Sequence, residues 1–102
     1  MPVVHLAFEV LPRAVDQEAY YRQVEAALNA VRESGLRYVA GPLETTVEGE
    51  LEDVLAVVAR AQDAVAAAGA DHIHTVIKID YHRGGPPMDL DDKMRRIAAL
   101  NR

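Results

Sequence analysis

Gly41-Pro42-Leu43-Glu44-Thr45-Thr46-Val47-Glu48-Gly49-Glu50 is the stretch on which the fold turns. Gly41-Pro42 signals a turn, and Thr45, Thr46 and Val47 are β-branched residues that favour an extended backbone. With residues 36–40 ahead of the turn and 43–49 behind it, the pattern predicts a hairpin of two strands. Glu44, Glu48 and Glu50 are poor strand formers set into it, so the second of these strands carries more polar chemistry than stability asks for. It is the candidate chemical centre.

Helical patterns flank the hairpin. Before it, Asp16 reads as an N-cap ahead of Tyr20, Val24, Ala27, Leu28 and Val31 on one face, and Gly35 stops the helix. After it, Glu50, Glu52 and Asp53 suit a first helical turn, Leu51, Val54, Leu55, Val58, Ala61, Val65 and Ala68 form a buried stripe, and Gly69 closes it. Further out lie two alternating runs. Residues 3–10 place Val4, Leu6, Phe8 and Val10 opposite Val3, His5, Ala7 and Glu9, with Pro12 as a stop. Residues 71–81 place Ile73, Thr75, Ile77 and Ile79 opposite His72, His74, Val76, Lys78 and Asp80. Gly84 to Pro87 is a linker, and Asp89 with Asp92 begins a short terminal helix carrying Leu90, Met94 and Ile97.

The order β-α-β-β-α-β predicts a ferredoxin-like α+β sandwich with one helix appended, as a single domain over residues 1–102. In that fold a four-stranded antiparallel sheet of order 4-1-3-2 carries two helices on one face and leaves the other open. Alternation then sends Val4, Leu6, Phe8, Ile73, Ile77 and Ile79 toward the helices. The open face receives His5, Glu9, Thr46, Glu48, His74, Lys78 and Asp80, which can converge because strand one lies between strands three and four.

Composition narrows the function. The chain has 11 basic and 16 acidic residues among 102, a net charge of −5, which argues against a nucleic-acid backbone binder and leaves neutral or cationic small ligands open. With no cysteine, thiolate metal sites, disulfides and a cysteine nucleophile are excluded. No run approaches the ~18 apolar residues of a membrane helix, and His5 and Glu9 interrupt what a signal peptide needs. The expectation is a cytoplasmic protein without nucleic-acid or membrane partners. A core this small makes self-association a reasonable expectation.

Ser34-Gly35-Leu36-Arg37-Tyr38, the stretch from Gly41 to Glu50, Gly69-Ala70 and Ile77-Lys78-Ile79-Asp80-Tyr81 together resemble the thiamine-binding protein family related to YkoF, of UPF0045 type. The resemblance spans most of the chain. It implies a ferredoxin-like subunit, dimers or tetramers formed through the open sheet faces, no catalytic activity, no cofactor, and thiamine or its hydroxymethylpyrimidine part bound at a subunit interface. Three positions depart from the family pattern: Glu44 stands where glycine is usual, Glu9 where serine is usual, and His82 where arginine is usual.

The candidate ligand-binding residues are Thr45, Thr46, Glu48, Glu50, Lys78, Asp80, Tyr38 and Glu9. A threonine hydroxyl donates and accepts, and a carboxylate accepts from an aminopyrimidine, so Thr45 with Glu48, Asp80 and a tyrosine face would make an acidic pocket between subunits for a cationic heterocycle. Each has a plainer explanation beside it. The threonines are good strand formers, Glu50 suits a helix start, Lys78 pairs by default with Glu9 or Glu48, and Tyr38 and Tyr81 suit interface packing as well as stacking. His72 and His74 share a strand face with His5 across the sheet. Histidines without cysteines more often serve interfaces than metals, so no metal site is assigned. Two other functions stay open: a small α+β enzyme using Glu and His as acid and base, and an oligomeric regulatory module without a small ligand.

Overall fold

A computed structural model describes residues 2–101. The elements run β1 (Val3–Pro12), α1 (Gln17–Glu33), β2 (Arg37–Ala40), β3 (Thr45–Glu50), α2 (Leu51–Ala67), β4 (Ile73–Asp80) and α3 (Leu90–Leu100). The sheet order is β2-β3-β1-β4 with every neighbour antiparallel, which is the expected 4-1-3-2 read from the other edge. The fold is ferredoxin-like with a third helix.

Local chemistry accounts for where the helices begin and end. Asp16 is extended, and its Oδ1 accepts the Ala19 N–H at 2.8 Å, a cap worth about 0.5–2 kcal/mol. Gly35 follows α1 with φ +76°, a conformation that costs glycine least. α2 starts directly from β3 and has no side-chain cap; Glu52 and Asp53 in its first turn face the positive end of its dipole. A Cβ on Gly49 would lie 3.2 Å from Leu36 Cδ1 and from Val54 Cγ1, so the small residue lets that first turn sit down on the sheet.

The core fills the space between the two long helices and the sheet, with Val4, Leu6, Val31, Val47, Val54, Val57 and Val65 fully buried. Four expectations change here. In α1 the buried residues are Ala19, Gln23, Ala27 and Val31, whereas Tyr20, Val24 and Leu28 are only half-buried. In α2 Val57 is buried and Leu55 is 41% exposed. β3 begins at Thr45, leaving Leu43 and Glu44 in the turn. Ile77 and Ile79 share the helix-facing side of β4, yet α1 and α2 pack chiefly over β1 and β3, and the two side chains stay 43% and 42% exposed.

The other sheet face is not left open along its whole length. α3 is held against one end of it: Leu90 is 3% exposed, and its N–H donates to Glu48 Oε2 at 2.9 Å. Asp89 caps this helix by accepting the Asp92 N–H at 2.8 Å.

Candidate functional site

Strand pairing sets Arg37 on β2, Glu48 on β3, His5 on β1 and Asp80 on β4 side by side, one polar row across the whole sheet. His5 is 4% exposed. Its Nε2 lies 2.8 Å from Glu48 Oε2 and its Nδ1 2.6 Å from Lys93 Nζ on α3. An ammonium can only donate, so Nδ1 is the acceptor and the ring proton sits on Nε2, donated to Glu48. Lys93 also reaches Asp80 Oδ2 at 3.4 Å, and Asp80 Oδ1 faces His82 Nε2 at 3.1 Å. At the β2 end, Arg37 Nε donates to Asp91 Oδ1 at 2.6 Å. That hydrogen bond raises the Arg37 guanidinium above its ordinary pKa and holds the Asp91 carboxyl below its own. The row thus grips the first turns of α3 at Leu90, Asp91 and Lys93.

The next row of the same face is Val39, Thr46, Ala7 and Lys78. Lys78 Nζ donates to Glu44 Oε1 at 3.0 Å, so its partner is the turn carboxylate rather than Glu9 or Glu48. His5, Ala7, Thr46, Lys78, Ile79 and Asp80 line a hollow here that lies open to solvent. Glu9 pairs with Val76 further along, and Glu50 pairs with Val3 at the opposite end.

The sheet therefore separates the candidates. Glu9, Thr46, Glu48, Glu50, Lys78 and Asp80 share the face that α3 partly covers. Thr45 pairs with Phe8, and Tyr38 with Val47, which turns both toward the helices; Thr45 is 7% exposed and Tyr38 packs on the core. A single pocket built from Thr45, Glu48 and Asp80 within one subunit is not what the strands form.

Thr45 instead helps to line a cavity of about 160 Å³ beneath the turn at residues 41–44, walled by Phe8, Tyr20, Val24, Leu28 and Leu43, with Glu9 and Glu44 also contributing. The turn is closed by the Gly41 N–H donating to the Glu44 carbonyl at 2.9 Å. A Cβ on Gly41 would sit 2.9 Å from that same oxygen, so a larger residue would force this turn apart. Phe8, Tyr20, Val24 and Leu28 look like core in the sequence. The one signal that could have marked them is Tyr20, a phenol in an otherwise aliphatic stripe. Among the described residues no group of three or more His, Asp or Glu side chains is arranged to hold a metal ion, and no helix is long and apolar enough to cross a membrane.

Residues 6–98 match the family model described as thiamine-binding protein. The chain belongs to this family. Among relatives of the thiamine-binding protein family, a UPF0045 protein of Clostridium perfringens is 32% identical over 89 residues, covering 87% of this chain and 93% of its own. A solved domain of unknown function (DUF77) from Bacillus cereus superposes with a TM-score of 0.83 at 40% identity, covering 93% of this chain and 89% of that one. A candidate thiamine biosynthesis or salvage protein of Thermotoga maritima superposes with a TM-score of 0.81 at 27% identity, covering 94% of this chain and 99% of that one. Family membership supports a thiamine-related binding role.

Proposed function

We propose that the protein reversibly binds thiamine or its hydroxymethylpyrimidine part in the cytoplasm and catalyses no reaction on it. The observation that carries this reading is the cavity of about 160 Å³ at Thr45 in a chain of this family. A dry cavity of about 150 Å³ accepts a benzene ring, so there is room for one six-membered heterocycle. Phe8 and Tyr20 supply aromatic walls, and the Thr45 hydroxyl can both donate to a ring nitrogen and accept from an exocyclic amine. The cationic thiazolium of the intact vitamin would extend toward the turn carboxylate Glu44, whose negative charge favours it over a phosphorylated tail. A second subunit over the opposite, partly covered face would cover the hollow at Thr46 and Lys78, which the sheet separates from this cavity.

Calorimetry with hydroxymethylpyrimidine, thiamine and thiamine phosphates tests this. Heat is expected with the first two, with affinity lowered at least tenfold in Thr45→Val and retained in Glu48→Gln. No heat with any of them on folded protein sinks the proposal. Binding lost in Glu48→Gln but intact in Thr45→Val moves the ligand to the other face.

A further inference from the structure

Of the four histidines, His5 alone is buried, at 4% exposure, on a strand paired along both of its edges. Its Nε2–H donates to Glu48 Oε2 at 2.8 Å, and its Nδ1 accepts from the Lys93 ammonium at 2.6 Å. Each neighbouring element brings charge toward this ring. β3 brings Glu48, whose Oε2 also accepts the Leu90 N–H. β4 brings Asp80, opposite His5 in the sheet, with Lys93 at 3.4 Å and His82 at 3.1 Å from its carboxylate. Lys78 borders the same hollow and is tied to Glu44. α3 brings Lys93, while its Asp91 is engaged by Arg37, beyond Glu48 in the row, and its Asp92 by Arg95. Among the described residues, Lys93 is the cation that hydrogen-bonds to the ring.

We propose that His5 and Lys93 form a pH-operated latch, in which protonation of the buried imidazole frees α3 to leave the sheet face. The neutral ring offers one donor and one acceptor, and the site uses both. An imidazolium offers two donors and no acceptor. Its Nε2–H stays on Glu48, where the added charge strengthens the bond. Its Nδ1–H, in a place closed to solvent, then points at an ammonium 2.6 Å away, donor against donor and charge against like charge. One of the two must withdraw. The ring is fixed by Glu48 and by a central strand, whereas Lys93 stands on a helix of three turns held by a few contacts, so the helix gives way. With α3 lifted, Nδ1–H meets water instead of the ammonium, so proton uptake and release of the helix favour each other. Docking is then complete at alkaline pH and lost as pH falls through the range of about 8 to 5 in which histidines change charge. The Arg37–Asp91 pair lets go only in stronger acid, because its hydrogen bond holds the Asp91 carboxyl below the ordinary value, so the two steps separate. Release uncovers Leu90 and takes one bond from Glu48, which opens the polar face. This latch lies across the sheet from the cavity at Thr45 and does not depend on which ligand is bound.

Amide exchange, corrected for the intrinsic pH dependence of the exchange chemistry, tests the latch on the whole chain. A one-proton linkage changes an opening equilibrium by at most about tenfold per pH unit. Between pH about 8 and about 5.5, protection in α3 should therefore fall by about tenfold or more, with α1 and α2 unmoved. His5→Gln, whose amide keeps one acceptor and one donor at every pH, should hold α3 with a flat profile. Lys93→Met removes the opposing charge and should flatten the profile whatever it does to docking at alkaline pH. His82→Gln, at the exposed histidine on Asp80, should leave the step in place. Nitrogen NMR of the wild type at the alkaline end should find the His5 ring proton on Nε2. If His5→Gln fails to fold, Lys93→Met and the wild-type spectrum decide. A flat wild-type profile would mean that Lys93 merely swings to Asp80, and it overturns the proposal. So does equal loss of protection in α1 and α2, a step that survives His5→Gln or Lys93→Met, a step lost in His82→Gln, or a proton on Nδ1.

Discussion

Thr45 and Glu48 stand three residues apart on β3, and the two sides of the sheet they face are held together by different physics. On Thr45's side the surroundings are aliphatic and aromatic, close packing leaves one small cavity, and shape decides what fits. On Glu48's side a row of ionisable groups runs across four strands, and its partners come from the backbone and side chains of α3. A carboxylate already shared between an imidazole and a backbone N–H has little left for a ligand. A hydroxyl at the wall of a cavity does. Polar residues in a strand can serve to hold a helix, as Glu48 and His5 do here with α3.

The largest expected effect tests the packed side. Leu6 is fully buried, and Leu6→Ala should lower unfolding free energy in urea by about 2–5 kcal/mol. A loss below about 1 kcal/mol would mean that side is not close-packed. Next, Glu48→Ala strands the His5 Nε2–H and the Leu90 N–H together and should cost about 1–3 kcal/mol. Amide exchange should speed up in α3 before it does in α1 or α2; uniform acceleration would break the clamp account. Thr45→Val keeps the volume and should change stability by no more than about 1 kcal/mol while weakening ligand binding, which separates site from scaffold.

The smallest effect is electrostatic. Arg37 and Asp91 are exposed, and their hydrogen bond lowers the Asp91 carboxyl from its ordinary value of 3.8. A depressed folded value means that its stabilisation is complete above the ordinary value and lost as pH falls through the lower one. The Arg37 side, raised above its ordinary value, is lost only at extreme alkaline pH. Exchange at the start of α3 should therefore rise in acid below pH about 4, and Asp91→Asn should remove that part of the acid dependence while barely moving the neutral-pH melting temperature. An unchanged acid profile in Asp91→Asn would remove this pair from the clamp.

Much of this was legible beforehand. Alternation in β1 and β4 told which residues face the helices, Asp16 and Asp89 marked two helix starts, and the element order specified the sheet order. Alternation also places Thr45 and Glu48 on opposite sides, since an odd separation reverses the side chain, so one strand cannot turn both into the same pocket within one subunit. The docking of α3 was not legible. Its contacts join residues as distant in sequence as His5 and Lys93, and no local pattern encodes such pairs.

By itself the sequence determined the elements, their order and the shared face of His5, Glu48 and Asp80, because propensity and periodicity are local properties of the chain; Arg37 joined that row only through strand pairing. Only the tertiary structure decided that Glu48 and His5 hold α3 while Thr45 meets a cavity with Tyr20. Those outcomes depend on which distant side chains arrive at the same place, and packing settles that.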